Sequence, residues 1–587
     1  MKRRFTLLAI ATFLSTSLMA AWDGTTKTKP EGDGSQSNPY KIAIEANLAW
    51  LANTSSEWGK YFEQTNDLDW GNHVWNPIGK DKNSYFSGTY DGGGYVISNL
   101  SYNNNTQSNV GLFGYINGAT LTKITVASGS IYGAGAVGGI CGYAVNSTIS
   151  FCTNVATIYG KMEQNGGICG YMENSTITDC INYGLVSGSN FTGGVLGRCK
   201  DNNNNIVINC VNVGQVFSFC ATSGNIIGFN DNLAATITNC YYDNQINALG
   251  GVTSTKTAME SVPDQTGNFV GKATTAMIGN GLASALGSNW VYDNELYPRL
   301  KVNASNLAVI LAATPVKLAE GDKADNVTKD FTVSTANNVS WTSGNSSYLT
   351  ISGKNASILK STGLVLTATK EGYSKKVYLK SNTEATAIGS STSPLTIENE
   401  SELKAFRDAV NNYGVYKGCA NYDGFKGVHF KVSIDIALTD WTEPIGVHNS
   451  FKGVFDGNHR TISNININQT SVSNIGGLFG CASFGSIENL KITGNVNGAQ
   501  SVGGLCGLTF AETIKNCEIN CTVSTGGKNQ CGGIVGVDKG YSNITKCKNL
   551  GSVSGFRYIG GIIGRCNHNA QISECINKGD ISSTSNK

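Results

Sequence analysis

Seventeen cysteines, five histidines and a scatter of carboxylates are the residues of this chain that could do chemistry. Thiolates and imidazoles hold zinc when they recur as closely spaced pairs. Here the cysteines recur at long intervals instead. Cys152, Cys180, Cys210 and Cys240, then Cys517, Cys547 and Cys575, close the elements "ISFC", "ITDC", "VINC", "ITNC", "IKNC", "ITKC" and "ISEC". A second set, Cys141, Cys169 and Cys506, takes a position held in other copies by Phe113, Leu196, Ile227, Phe479, Val535 or Ile563. Exchange with large apolar residues is what filling an interior requires, and neither metal ligation nor a disulfide framework tolerates it. The expectation is reduced, inward-facing thiols with no metal.

The histidines, His73, His429, His448, His459 and His568, form no H-E-x-x-H pair, so the chain lacks that metallopeptidase motif. His429, His448 and His459 lie near one another in sequence but in different strands and loops. Asp67, Asp69, Asp91, Asp435 and Asp456 are the carboxylates that could serve as an acid and base in glycan cleavage. Asp91 in "YDGGGY" and Asp456 in "FDGNHR" precede glycine, however, which is turn chemistry, and their recurrence in both halves points to a repeated corner. Arg198 ("GGVLGRC") and Arg565 ("GGIIGRC") likewise mark equivalent places. No catalytic residue and no cofactor is expected. Tyr102, Tyr115, Tyr143, Tyr171 and Phe510 could offer ring faces to sugars, with turn packing as the plainer reading.

The elements that position these residues are repeats. "VGLFG", "VGGICG", "NGGICG", "TGGVLG" and "SGNIIG" end at Gly114, Gly142, Gly170, Gly197 and Gly228, and "IGGLFG", "VGGLCG", "CGGIVG" and "IGGIIG" at Gly480, Gly507, Gly536 and Gly564. The period is close to 28 residues. Each copy holds short β-branched runs between Gly and Asn and cannot bury a face alone, so copies must stack. Helical repeats would suffer from glycine and β-branched residues at nearly every turn. A parallel β-solenoid satisfies the pattern, with equivalent side chains in columns.

The Gly-Gly-aliphatic-x-Gly element followed by Ile-x-x-Cys-x-Asn resembles the GLUG motif of bacterial surface proteins, over about residues 35–300 and 388–587. The resemblance implies right-handed parallel β-helices. The motif also flanks immunoglobulin-A-cleaving metallopeptidases and filamentous adhesins.

Two β-helices are expected, because "NPYKIAIEANLAWLAN" and "SPLTIENESELKAFRDAV" open equivalent segments, each with a short capping helix using Leu48 and Leu51 or Leu403 and Phe406. Between them a cysteine-free stretch with alternating short strands and Trp341 predicts a small β-sandwich that resembles bacterial immunoglobulin-like domains. The expected organisation of this all-β chain is a signal peptide at 1–21, a first β-helix with a closing segment at 22–302, the sandwich at 303–385 and a second β-helix without a closing segment at 386–587.

"MKRR" followed by an apolar run and "LMAA" is a secretory signal, with cleavage expected after Ala20 or Ala21. No later stretch is apolar for long enough to span a membrane as a helix. The 43 basic and 41 acidic residues cancel to +2, which supplies no field for nucleic acid. Gly at 72 residues and Pro at 8 suit stacked strands with tight turns. The expected function is that of a secreted or cell-surface, non-catalytic binding or adhesion protein for a glycan or a host or extracellular protein. The alternative is a polysaccharide lyase or hydrolase on the same scaffold. Since "ISECINKGDISSTSNK" ends the chain soon after Cys575 with no counterpart of "WVYDNELYPRL", either truncation or end-to-end self-association is also expected.

Overall fold

Stacking resolves the burial problem that a single repeat cannot. In the computed structural model, corresponding short strands of successive repeats lie side by side in parallel sheets. The fold is all-β, a β-solenoid of about 17 turns. The structure describes residues 22–583 apart from 105, 201–203, 219–222, 232–234, 248–251, 255–259, 263–267, 361–362, 382–387, 413, 418, 422–423, 448, 470–474 and 526–529. Residues 1–21, where a signal peptide is expected, His448 and Cys220 therefore lie outside the described residues.

A first stack is built from four long sheets. One eight-stranded sheet runs from Tyr40–Ile42 to Ala235–Thr238 and another from Leu68–Asp69 to Phe269–Lys272. A seven-stranded sheet carries the glycine motif through Phe113–Asn117, Cys141–Val145, Cys169–Glu173, Leu196–Cys199 and Ile227–Asn230. In its register Gly114, Gly142, Gly170, Gly197 and Gly228 form one column. A second stack repeats the arrangement, with Phe479–Ser483, Cys506–Phe510, Val535–Asp538 and Ile563–Cys566 aligning Gly480, Gly507, Gly536 and Gly564. The helices Glu45–Asn53 and Glu400–Asn411 bury Leu48 and Leu51, and Leu403 and Phe406, against the opening strands. In the last described coil Ile572, Ile576 and Ile581 are exposed.

Two columns fill the interior. Cys152, Cys180, Cys210 and Cys240 are fully buried, as are Cys517 and Cys547, while Cys575 is half-buried. The described cysteines are all free thiols. The Cys152 backbone N–H donates to Cys180 Sγ at 3.4 Å, one coil away, and the Cys180 thiol donates to Thr178 O at 3.2 Å. Burial pushes the thiols of Cys141, Cys180, Cys240 and Cys506 well up, so they stay protonated and inert. Two residues beyond Cys152, Cys180, Cys210, Cys547 and Cys575 runs an asparagine column. Asn154 donates to Asn182 at 2.8 Å and Asn182 to Asn212 at 2.9 Å, and Asn549 donates to Asn577 at 2.7 Å. This column explains the paired glycines of the motif. A Cβ on Gly167 would lie 2.3 Å from Asn182 Cγ and 2.2 Å from Gly194 O, and one on Gly533 would lie 2.4 Å from Asn549 Cγ and 2.2 Å from Gly561 O.

Residues 316–380 form a four-stranded and a three-stranded antiparallel sheet that share a core around Phe331, Trp341, Leu366 and Leu379. Phe217 and Ile246 of the first stack belong to the same core. The side chain of Gln215 completes the contact by acting as a strand partner: its Nε2 donates to Tyr378 O at 2.8 Å and its Oε1 accepts from Tyr378 N at 3.0 Å. These sheets therefore lie against the flank of the first stack. Lys452 of the second stack donates to Ser218 O of the first at 2.8 Å.

Candidate functional site

The two stacks serve as controls for each other. Glu45 accepts from Asp69 N at 2.8 Å, and Glu400 accepts from Thr439 N at 3.0 Å. Asp67 accepts from Val96 N at 2.9 Å and Asp435 from Thr461 N at 2.8 Å. Asp91 accepts from Gly93 N at 2.9 Å and Asp456 from Asn458 N at 2.8 Å. Each carboxylate pins a turn or a neighbouring strand, and the pin is repeated in both stacks. Asp69 holds Gly71 N and the Asn99 amide. A groove of about 680 Å³ nevertheless brings several carboxylates together: Glu45, Asp67 and Asp69 lie on the solenoid wall, and Glu371, Tyr373 and Lys375 on the wall of the antiparallel sheets.

The histidines are dispersed. His73 Nε2 lies 3.2 Å from Trp22 O, His429 is in a strand, His459 is in a turn and His568 is exposed. Among the described residues no group of three His, Cys, Asp or Glu could hold a metal ion.

The position after each motif glycine faces outward, and in-register pairing places Tyr115, Tyr143, Tyr171, Arg198 and Phe229 in one column. Ring centroids of Tyr115 and Tyr143 are 4.8 Å apart at 16°, and those of Tyr143 and Tyr171 are 4.4 Å apart at 32°. The Arg198 guanidinium follows, 5.7 Å from the Tyr171 ring centroid and 5.1 Å from that of Phe191, and it pairs with Asp231 at 2.8 Å. Rings stacked in this way cover one another's faces, so of the two readings of these tyrosines the arrangement favours packing over open planes for sugars. Burial raises the Tyr143 and Tyr171 phenols, which keeps them neutral. Tyr102 is buried and offers no plane either. Phe510 differs, lying edge-on between Phe484 and Tyr541 at 5.1 and 6.1 Å.

One buried polar cluster had no signal in the sequence. Asp243 accepts from Tyr297 Oη and Thr274 Oγ1, both at 2.6 Å, and from two backbone amides. Lys375 donates to Ala312 O at 2.6 Å and Thr314 O at 3.0 Å, with its ammonium 5.9 Å from the Tyr297 ring centroid. Burial pushes Lys375 down to about 7 and Asp243 up. The groups join the first stack, its closing segment and the antiparallel sheets. Their sequence separation follows no period, so only an alignment of spatial contacts could have found them.

No family model matches the chain, and no solved structure matches it. Two curated proteins are similar to parts of it. Halomucin of Haloquadratum walsbyi is 32% identical over 151 residues, 24% of this chain and 2% of halomucin. A Gly-rich membrane protein of Evansella cellulosilytica is 35% identical over 184 residues, 29% of this chain and 21% of that protein. The chain thus spans a small fraction of the length of both relatives. Among the described residues no helix is long and apolar enough to cross a membrane.

Proposed function

We propose that this is an exported, surface-located rod that binds glycan or protein ligands without transforming them. In this reading the chain has a signal peptide, two right-handed GLUG-type β-helices at 22–302 and 386–587, and an immunoglobulin-like sandwich at 303–385. The antiparallel sheets around Trp341 support the sandwich, and the in-register glycine columns support the β-helices. The observation that carries the binding function is the duplication of the carboxylate pins. Asp67 with Asp435 and Asp91 with Asp456 do the same structural work, which leaves the outward columns as the part of the surface free to specialise. The description of one relative as a membrane protein supports a cell-envelope location. A glycan and extracellular-matrix array probed with the secreted protein tests this reading; an array with no ligand contradicts it.

A second reading, a carbohydrate-active enzyme, draws support from the groove between Asp67, Asp69 and Glu371. A polysaccharide-depolymerisation assay separates the two. Release of oligosaccharides by the wild type that is lost in Asp69→Asn or Glu371→Gln favours the enzyme.

A further inference from the structure

The corner that follows three glycine-motif strands in each stack turns through a residue in the left-handed conformation. In the first stack that residue is Gly118, Asn146 or Asn174, at φ 74°, 47° and 49°. Gly and Asn adopt this conformation at small cost. In the second stack the same corner uses Phe484, Ala511 and Tyr541, at φ 58°, 48° and 65°. A bulky residue there is a backbone outlier, and the side chains gain no burial in exchange: Phe484 is 45% exposed and Tyr541 is 62% exposed. Asn146 and Asn174 instead extend an amide ladder along the first stack, down to Asn117. Folding therefore favours Asn at this corner twice over, for its backbone and for its side chain, yet the second stack places rings at two of its three corners, Phe484 and Tyr541, with Phe510 just before the third. Strain kept at an exposed position points to a use outside folding.

The arrangement of the rings indicates which use. Phe484 and Phe510 lie 5.1 Å apart at 80°, and Phe510 and Tyr541 lie 6.1 Å apart at 86°. His568 continues the row 6.4 Å beyond Tyr541 at 15°. Unlike the stacked tyrosines of the first stack, Phe484, Phe510 and Tyr541 are crossed nearly at right angles, and Phe484 and Tyr541 keep about half of their surface in solvent. An aromatic face binds the apolar C–H face of a pyranose, and a row of rings at sugar-scale intervals suits several consecutive residues of a chain better than one sugar. Rings in a row also stack nucleobases, but such platforms work with a cationic groove, and a net charge of +2 over the chain supplies none. We propose that the outer corner of the second stack, built by Phe484, Phe510, Tyr541 and His568, is a stacking platform for an extended, uncharged glycan chain. This rests on the reading of the chain as a surface binding protein.

The test is isothermal titration of the full chain with cellohexaose, chitohexaose and maltohexaose, repeated on the double variant Phe484→Asn/Tyr541→Asn and on Tyr541→Phe. The expected result is that at least one hexasaccharide binds the wild type and Tyr541→Phe alike, and that the double variant binds it at least about tenfold more weakly. The double variant should also melt at a higher temperature, because Asn relieves the corner. Unchanged binding by the double variant overturns the platform and leaves the wider binding reading standing. A wild type that binds none of the three hexasaccharides overturns it too, and protein ligands on the array would then still support the wider reading. Loss of self-association in the double variant, without loss of glycan binding, assigns the rings to a second copy and also overturns it.

Discussion

The two stacks share an interior and differ outside. Both are filled by cysteine and asparagine columns at equivalent places, and both need glycine opposite the asparagines. In the outward column, Tyr115, Tyr143, Tyr171 and Arg198 of the first stack correspond to Cys481, Leu508, Val537 and Arg565 of the second. At the following corner the contrast reverses, with Asn146 and Asn174 in the first stack and Phe484 and Tyr541 in the second. A device that both stacks keep is required for stacking, and a device only one holds answers to something else. By that criterion the carboxylate corners belong to folding and the aromatic rows to the surface.

The largest expected effect tests the shared interior. Gly167→Val and Gly533→Val each drive a side chain into the next coil's backbone, and each should cost on the order of 3 kcal/mol. Asn103→Val, at an exposed position of the first stack, should cost far less in the same thermal denaturation. Unequal losses at the two glycines would show that the interiors are not equivalent. Next in size, Cys180→Ser places a hydroxyl in the apolar column and should cost about 2 kcal/mol, with Cys180→Ala costing less.

Glu512 sharpens the comparison through pH. It stands where the first stack has Ser147 and Ser175, whose hydroxyls accept the backbone amides of Ala119 and Ser147. Glu512 accepts Gly485 N at 2.9 Å through one oxygen, and its other oxygen has no partner. Burial pushes its carboxyl well above the usual range. The folded state therefore keeps a proton that the unfolded chain releases above about pH 4.3, and stability falls as pH rises from there through the raised folded value. Glu512→Gln should raise the melting temperature more at pH 8 than at pH 5. An equal shift at both pH values would contradict a neutral buried carboxyl. The smallest effect belongs to the outer column, where Tyr143→Leu should cost about 1 kcal/mol in stacking.

Much of this was legible because a parallel stack writes its register into the sequence: a residue and its neighbour one coil away are one period apart, so the spacing of Gly142 and Gly170 is itself a contact map. The exchange of Cys141 with Phe113 and Leu196 was readable for the same reason, as was the turn role of Asp91. Contacts that break the period left no trace. Gln215 serving as a strand partner to Tyr378, and Lys375 capping the carbonyls of Ala312 and Thr314, depend on how the antiparallel sheets lie on the first stack. The stacking of Tyr115, Tyr143 and Tyr171 was legible as a column, but its concealment of the ring faces was a matter of angle. The corner at Phe484 was hidden for another reason: phenylalanine is no turn signal, and its left-handed backbone follows from its place above Ala511 and Tyr541.

The most direct test of the shared interior is mass-mapped thiol labelling of the native and the denatured chain. If the columns are buried and reduced, native protein should label quickly at exposed Cys566, more slowly at half-buried Cys481 and Cys575, and hardly at Cys180 or Cys517, while the denatured chain labels all 17 without a reductant. Rapid native labelling of Cys180 and Cys517, or denatured protein that needs a reductant to expose its thiols, would contradict the account.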